Sequence, residues 1–158
     1  LEPRIVTEEF AEKLSSMGKI CPHFHLSLQS GCDSVLERMN RRYDTAEYEA
    51  GCNILRKYFK HPAITTDVIV GFPGETEEEF KTTERYLEKI GFYEMHIFKY
   101  SKRAGTKAAE MPLQIPEEQK TARSAKLIAL EQRMSEEFRE YYVGTETTAL
   151  MEDTAVIG

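Results

Sequence analysis

The segment from Ile64 to Phe72 constrains the rest of the chain more than any other. It is β-branched and largely apolar, with Val68-Ile69-Val70 near its end, the character of a strand buried on both faces in a parallel sheet. Gly71-Phe72-Pro73-Gly74 then makes a tight loop. Thr76, with Glu79 three residues on, has the spacing of a capping box and starts a helix. Phe80, Thr83, Leu87 and Ile90 form the inner stripe of that helix, and Gly91 ends it. A buried strand, a tight turn and an amphipathic helix make the repeating unit of an α/β protein with parallel strands.

The unit recurs along the chain. The spacing predicts a helix over Thr7–Met17, with Phe10 and Leu14 inward and Gly18 at its end. His25 to Gln29 alternates strictly, Leu26 and Leu28 on one side and His25, Ser27 and Gln29 on the other, which is the period of a strand. A short helix over Asp33–Met39 follows. A longer one over Thr45–Lys60 carries Tyr48, Cys52, Leu55 and Phe59 and is capped by Asp44 and Glu47. Phe92–Phe98 reads as a third strand, and Pro116 opens a long helix to about Tyr142 with Leu127, Leu130, Met134 and Phe138 on one side. Thr145–Met151 reads as a new strand. The expected division is therefore an α/β domain over residues 1–143 and the start of a second, β-rich module over 144–158. Three strands cannot close a barrel, and three alone leave bare edges. With no Gly-x-Gly-x-x-Gly or Walker-type sequence present, a slice of a larger α/β barrel is the expected architecture.

Composition narrows the function classes. Of 158 residues 41 % are hydrophobic, enough for a core. Twenty-seven acids against 21 Lys and Arg leave a net charge of −6, which argues against a general nucleic-acid coat but not against a local basic patch. No apolar run approaches the roughly 20 residues of a membrane span, and no secretory signal opens the chain, so a cytoplasmic protein is expected. Both ends read as cut, since the chain opens on Leu1-Glu2-Pro3. Cys21, Cys32 and Cys52 are spaced for neither a disulfide framework nor a zinc site and read as free thiols. No metal ligands are expected among them.

In α/β barrels the chemistry sits in the loops after the strands. Here those are Gln29-Ser30-Gly31, Gly71 to Glu75, and Tyr100-Ser101. His25, Ser27 and Gln29 face the interior on the first strand, Thr65 and Asp67 share a face on the second, and His96 and Tyr100 on the third. Taken singly, such groups satisfy one another in a packed core. As a set they point to a hydrated cavity for a polar ligand. Glu77, Glu78 and Glu79 occupy the helix end beyond Gly74, which disfavours a phosphate there and favours a ligand held by backbone contacts. Arg38, Arg41 and Arg42 form one basic cluster at this rim, and Lys99, Lys102, Arg103 and Lys107 another. Tyr43, Phe98 and Tyr100 are placed to stack on bases.

Four segments carry a resemblance. They are His25-Leu26-Ser27-Leu28-Gln29-Ser30-Gly31, Met39-Asn40-Arg41-Arg42-Tyr43, Thr65 to Thr76, and Tyr100-Ser101 with Ala104-Gly105-Thr106. In order and spacing, from about Leu1 to Tyr142, they closely resemble the radical S-adenosylmethionine methylthiotransferases. Cys21 to Ser27 and Phe92 to Phe98 look most like the branch acting on threonylcarbamoyladenosine in tRNA. The resemblance implies the second half of an open (βα)6 partial TIM barrel with parallel strands, followed by the first strand of a truncated, TRAM-like RNA-binding β domain. It also implies S-adenosylmethionine and [4Fe-4S] clusters as cofactors. The family binds its clusters through cysteines outside this region, and the Cys-x-x-x-Cys-x-x-Cys motif is absent from this sequence. The family's reaction is reductive cleavage of S-adenosylmethionine to a 5′-deoxyadenosyl radical, hydrogen abstraction, sulfur insertion and methylation. This chain alone is expected to be inactive.

Carried over residue by residue, the resemblance implies that Gln29 and Ser30 contact the ribose of S-adenosylmethionine. Gly71 and Glu75 pack on its adenine and methionyl parts, Tyr100 offers a backbone contact to the adenine, and Asp67 orients a ligand hydroxyl. Arg41, Arg42, Lys99, Lys102 and Arg103 face the anticodon arm of tRNA. Lys102 replaces the proline usual in that loop. Two alternatives stand beside this reading: a catalytically silent RNA-binding half-barrel, and an enzyme like the anaerobic coproporphyrinogen oxidases, which share a similar Gln-Ser and Gly-x-Pro-Gly pattern.

Overall fold

Three parallel strands organise the computed structural model, which describes residues 1–146. Strands β1 (His23–His25), β2 (Ala63–Val70) and β3 (Glu94–Lys99) lie side by side in that order, His25 opposite Thr65 and Asp67 opposite His96. Six α-helices connect and cover them: α1 (Glu8–Ser15), α2 (Asp33–Arg38), α3 (Thr45–Tyr58), α4 (Glu77–Ile90), the short α5 (Lys107–Glu110) and α6 (Glu117–Glu140). A 3-10 turn at Pro3–Ile5 precedes them. The expected order of elements is present, with α5 and the 3-10 turn in addition. The expected strand over Thr145–Met151 lies almost wholly outside the described residues.

The helices begin where the caps dictate. Asp44 with Glu47 and Thr76 with Glu79 form complete capping boxes, and the C-cap Gly91 of α4 adopts the left-handed conformation at φ 67°. All the cover lies on one side of the sheet. Ile64, Thr66, Val68 and Val70 of β2 are buried against a core that includes Leu26, Leu28, Tyr48, Leu55, Phe80, Leu87, Leu127 and Leu130. The other face carries Asp67 and Ile69, which are half-buried, and the exposed His96 and Phe98. Alternation along each strand thus separates a greasy side from an open, polar one.

The first strand differs from expectation. Regular pairing stops at His25, and an isolated parallel bridge joins Gln29 to Val68. Between these points the β1 side advances four residues and β2 three, the mark of a bulge. The cause is Thr66. Its hydroxyl donates to the Leu26 carbonyl at 2.6 Å and accepts from the Leu28 N–H at 3.0 Å, taking the place of a ladder rung. The segment then closes at Gln29, whose φ of 73° is left-handed, rare for a residue with a side chain.

Candidate functional site

The loops after the three strands meet at one rim, as expected of parallel strands. Gln29 is tied to β2 on both sides: its N–H donates to the Asp67 carbonyl at 2.8 Å and its carbonyl accepts from Ile69 at 2.9 Å. Its backbone is thereby engaged, and the residue is 8 % exposed. Tyr100 continues β3, donating its N–H to the Val70 carbonyl at 2.9 Å. Tyr100 borders a cleft of about 490 Å³ at the ends of β2 and β3, lined also by Ile69, Phe98, Lys99, Ser101, Arg103, Thr106 and Ala108. Its volume and largely apolar lining suit a nucleoside-sized ligand.

The loop after β2 is locked from behind. Gly71 has φ 72°, and a Cβ there would stand 2.2 Å from Cγ of Lys120, so glycine is needed for both conformation and space. Lys120 reaches over Gly71 from α6, donating to the Tyr100 carbonyl at 3.0 Å and pairing with Glu117. Glu75 accepts from the Gly71 N–H at 2.8 Å and from Arg123 of α6 at 2.6 Å. Both ion-pair partners are almost fully buried, 3 % exposed for Arg123 and 2 % for Glu75. Burial pushes the Glu75 carboxyl up despite the guanidinium beside it.

Two residues expected at the ligand use their side chains within the fold. Glu75 turns its carboxylate to Gly71 and Arg123 and leaves the cleft to others. Ser30 is fully buried, its hydroxyl 3.1 Å from that of Thr83 on α4 and accepting from the Cys32 N–H. Both residues hold loops in place. The Tyr100 ring packs edge-on against Phe72, 5.4 Å between centroids, in a small cluster with Cys32 and Val35. Its carbonyl, not its ring, is turned to the rim, and Lys120 already donates to it. Arg123 and Lys120 were absent from the sequence-derived site. Their signal was present, since Arg123 lies four residues before Leu127 on the inner stripe of α6.

Asp67 sits lower, at the centre of the open face. Its two carboxylate oxygens meet His25 Nε2 at 3.3 Å and His96 Nδ1 at 3.1 Å. Of the polar set expected to line a cavity, His25, Thr65, Asp67 and His96 come together on that face, with Asp67 shared between two imidazoles, whereas Gln29 is buried and the Tyr100 ring packs on Phe72.

The basic residues divide. Arg41, Arg42, Lys102 and Arg103 are exposed. Asp33 on α2 accepts from the Thr45 N–H at the start of α3, which keeps the Arg41-Arg42 loop at the carboxyl ends of the strands. That loop borders a cleft whose other wall carries Asp33, Glu37, Asp44 and Glu47. Lys99 is paired at 2.6 Å with Glu117, and Arg38 at 2.7 Å with Glu79. Arg38 serves the fold instead of the surface.

The thiols do not fit an iron–sulfur cluster. Cys21 is exposed, whereas Cys32 and Cys52 are buried in separate clusters. Burial also pushes the Cys52 thiol up to about 12. The cleft does suit the nucleoside part of S-adenosylmethionine in size and in its largely apolar lining.

Comparison with known proteins gives the same direction. A family model described as the radical SAM superfamily matches residues 2–87. The threonylcarbamoyladenosine tRNA methylthiotransferase MtaB of Bacillus subtilis is 43 % identical over 142 residues, covering 90 % of this chain and 32 % of that protein. A tRNA-2-methylthio-N(6)-dimethylallyladenosine synthase of Corynebacterium jeikeium is 41 % identical over 150 residues, 95 % of this chain and 29 % of the relative. The chain thus spans about a third of the length of the curated relatives it matches. Among solved structures, coproporphyrinogen III oxidase (HemN) from Escherichia coli, a radical SAM enzyme, superposes with a TM-score of 0.68 at 20 % identity, over 85 % of this chain and 31 % of that one. That likeness concerns the fold, a sheet of parallel strands with its helices.

Proposed function

The chain belongs to the radical SAM superfamily, and from that premise we propose that it is the carboxyl-terminal half of the catalytic barrel of a tRNA methylthiotransferase. The proposed reaction adds a methylthio group to a modified adenosine next to the anticodon. One observation carries the reading: a cleft of nucleoside size, lined by Ile69, Phe98 and Tyr100, opens at the carboxyl ends of adjacent parallel strands. The names of relatives about 40 % identical over at least nine-tenths of the chain support the substrate class.

When bound, S-adenosylmethionine supplies the adenosyl and methyl groups of this chemistry. On this chain the Gln29 side chain contacts the ribose, while the backbone around Gly71 and the second lone pair of the Tyr100 carbonyl meet the adenine. Phe98 and Ile69 give the cleft an apolar wall that excludes water from the nucleoside. Ser30, Glu75, Lys120 and Arg123 keep the three loops in register, so the contacts are preorganised. Cluster ligands come from outside this chain in this reading. Arg41, Arg42, Lys102 and Arg103 meet phosphates of the anticodon arm, and Lys99 joins them by exchanging Glu117 for a phosphate.

Nucleosides from total tRNA test the proposal. In cells lacking the gene that encodes this chain, mass spectrometry is expected to show loss of a methylthiolated adenosine and accumulation of its precursor. An undiminished methylthiolated nucleoside overturns it.

A further inference from the structure

We propose that His25, Asp67 and His96 form a binding site for one first-row divalent transition metal ion, of the zinc or cobalt type, on the open face of the sheet. The three residues come from three neighbouring strands, and their donor atoms all lie within 4.8 Å of one another. Ligands that share an ion at about 2.0–2.2 Å stand at most about 4 Å apart, so small side-chain rotations bring them to one point. Two imidazoles with one carboxylate are the donor set that suits zinc, iron or cobalt, whereas magnesium and calcium favour oxygen alone.

A second observation concerns orientation. His25 Nδ1 lies 3.1 Å from the Thr65 hydroxyl, which also approaches His23 Nε2 at 3.4 Å. When Nδ1–H donates to Thr65, the hydroxyl donates onward to His23, and the lone pair on His25 Nε2 is aimed at the Asp67 carboxylate. A lone pair facing a carboxylate is repulsive unless a cation stands between them. Thr65 is thus placed as the outer partner of the metal-binding tautomer of His25, its hydroxyl accepting from Nδ1–H. Without the ion, the other tautomer donates Nε2–H to Asp67 and accepts from Thr65. The side chains are 39 %, 28 % and 60 % exposed for His25, Asp67 and His96. An ion therefore has a path in, and solvent can fill its remaining positions.

The site lies low on the sheet face. Asp67 and His96 precede Gly71 and Tyr100 by four residues, roughly 13 Å at the rise of a strand, whereas the bulge brings Gln29 level with Val68, its N–H on the Asp67 carbonyl. The ion would lie on the sheet face that also carries Ile69 and Phe98 of the cleft, two residues below them, on elements rigid enough to hold geometry.

Titration of the chelator-stripped chain with Co2+, followed by displacement with Zn2+, reads the site directly. One equivalent of Co2+ is expected to bind with visible absorption bands, and the bands are expected to vanish in His96→Ala and Asp67→Ala. Thr65→Val is expected to weaken binding by about tenfold or more, and Cys21→Ser to leave it unchanged. On the unsubstituted chain, Zn2+ should shift the ring resonances of His25 and His96 and not those of His61. That readout stands even where a variant misfolds. Absence of saturable uptake at one equivalent, uptake that survives both alanine variants, or loss of uptake in Cys21→Ser overturns the proposal.

Discussion

Arg123 places a full guanidinium beneath the loop after β2, 3 % exposed, with Glu75 at 2.6 Å and the Phe80 ring 5.3 Å below it. A pair this deep gains its attraction at a large cost in lost hydration, and removing one partner strands the other. Arg123→Met is therefore expected to cost about 3–5 kcal/mol in urea unfolding, because Glu75 keeps a charge with only the Gly71 N–H to meet it. The double variant Arg123→Met, Glu75→Gln is expected to recover part of that loss. Equal stability of the two variants would show that Glu75 carries no stranded charge. The half-buried pair between Arg38 and Glu79 behaves differently with pH. Chiefly through its hydrogen bonds to Arg38, and also to Ser34 and the Thr76 N–H, Glu79 is lowered from 4.5 to about 2. A depressed carboxylate stabilises the fold above its unfolded value, and that contribution fades as pH falls from about 4.5 towards 2. After allowance for solvent screening it is worth about 1–2 kcal/mol. Denaturation midpoints of the native chain and Arg38→Met are expected to differ most at pH 7 and to converge by pH 2–3. A gap independent of pH would remove the ion pair as its cause.

The elements show where sequence is informative and where it falls silent. Helices α3 and α4 were legible almost to the residue, because Asp44-Glu47 and Thr76-Glu79 write their starts in local chemistry. Strand β2 was legible for the same reason, since its composition admits little else. The bulge after β1 was not. It depends on Thr66, some 40 positions away, and no periodicity within His25–Gln29 encodes a rung supplied by another strand's hydroxyl. At the site, the polar face of His25, Asp67 and His96 followed from alternation alone. The inward turn of Ser30 and Glu75 depended on partners in α4 and α6, which only packing reveals. Thr66→Val tests the account of the bulge. It leaves the buried Leu28 N–H without an acceptor, and the expected cost is about 1–3 kcal/mol. Amide exchange at Leu28 should accelerate with it. If exchange there stays as slow as in the native chain, the ladder closes without the hydroxyl.

The whole molecule is acidic, at −6, yet the loops of the proposed tRNA site carry the exposed cations Arg41, Arg42, Lys102 and Arg103. Neutralising phosphates releases condensed counterions, so each productive contact steepens the salt dependence of binding. The cations there are not equivalent. Arg41, Arg42, Lys102 and Arg103 are exposed, whereas Lys99 must first leave Glu117 at 2.6 Å. Arg41 and Arg42 also face an acidic wall of Asp33, Glu37, Asp44 and Glu47, which repels RNA unless those arginines lead. Charge reversal at this loop then does more than delete two contacts: it extends the acidic wall to the edge of the rim. In the whole protein, Arg41→Glu with Arg42→Glu is expected to weaken tRNA binding at low salt. It is also expected to reduce the slope of log affinity against log salt by about 1–2. Lys99→Glu should have a smaller effect on both quantities, since its charge is already balanced by Glu117. A slope unchanged by the double reversal would move the RNA away from this rim, and a larger effect from Lys99 than from the arginine pair would place the phosphates at the end of β3 instead.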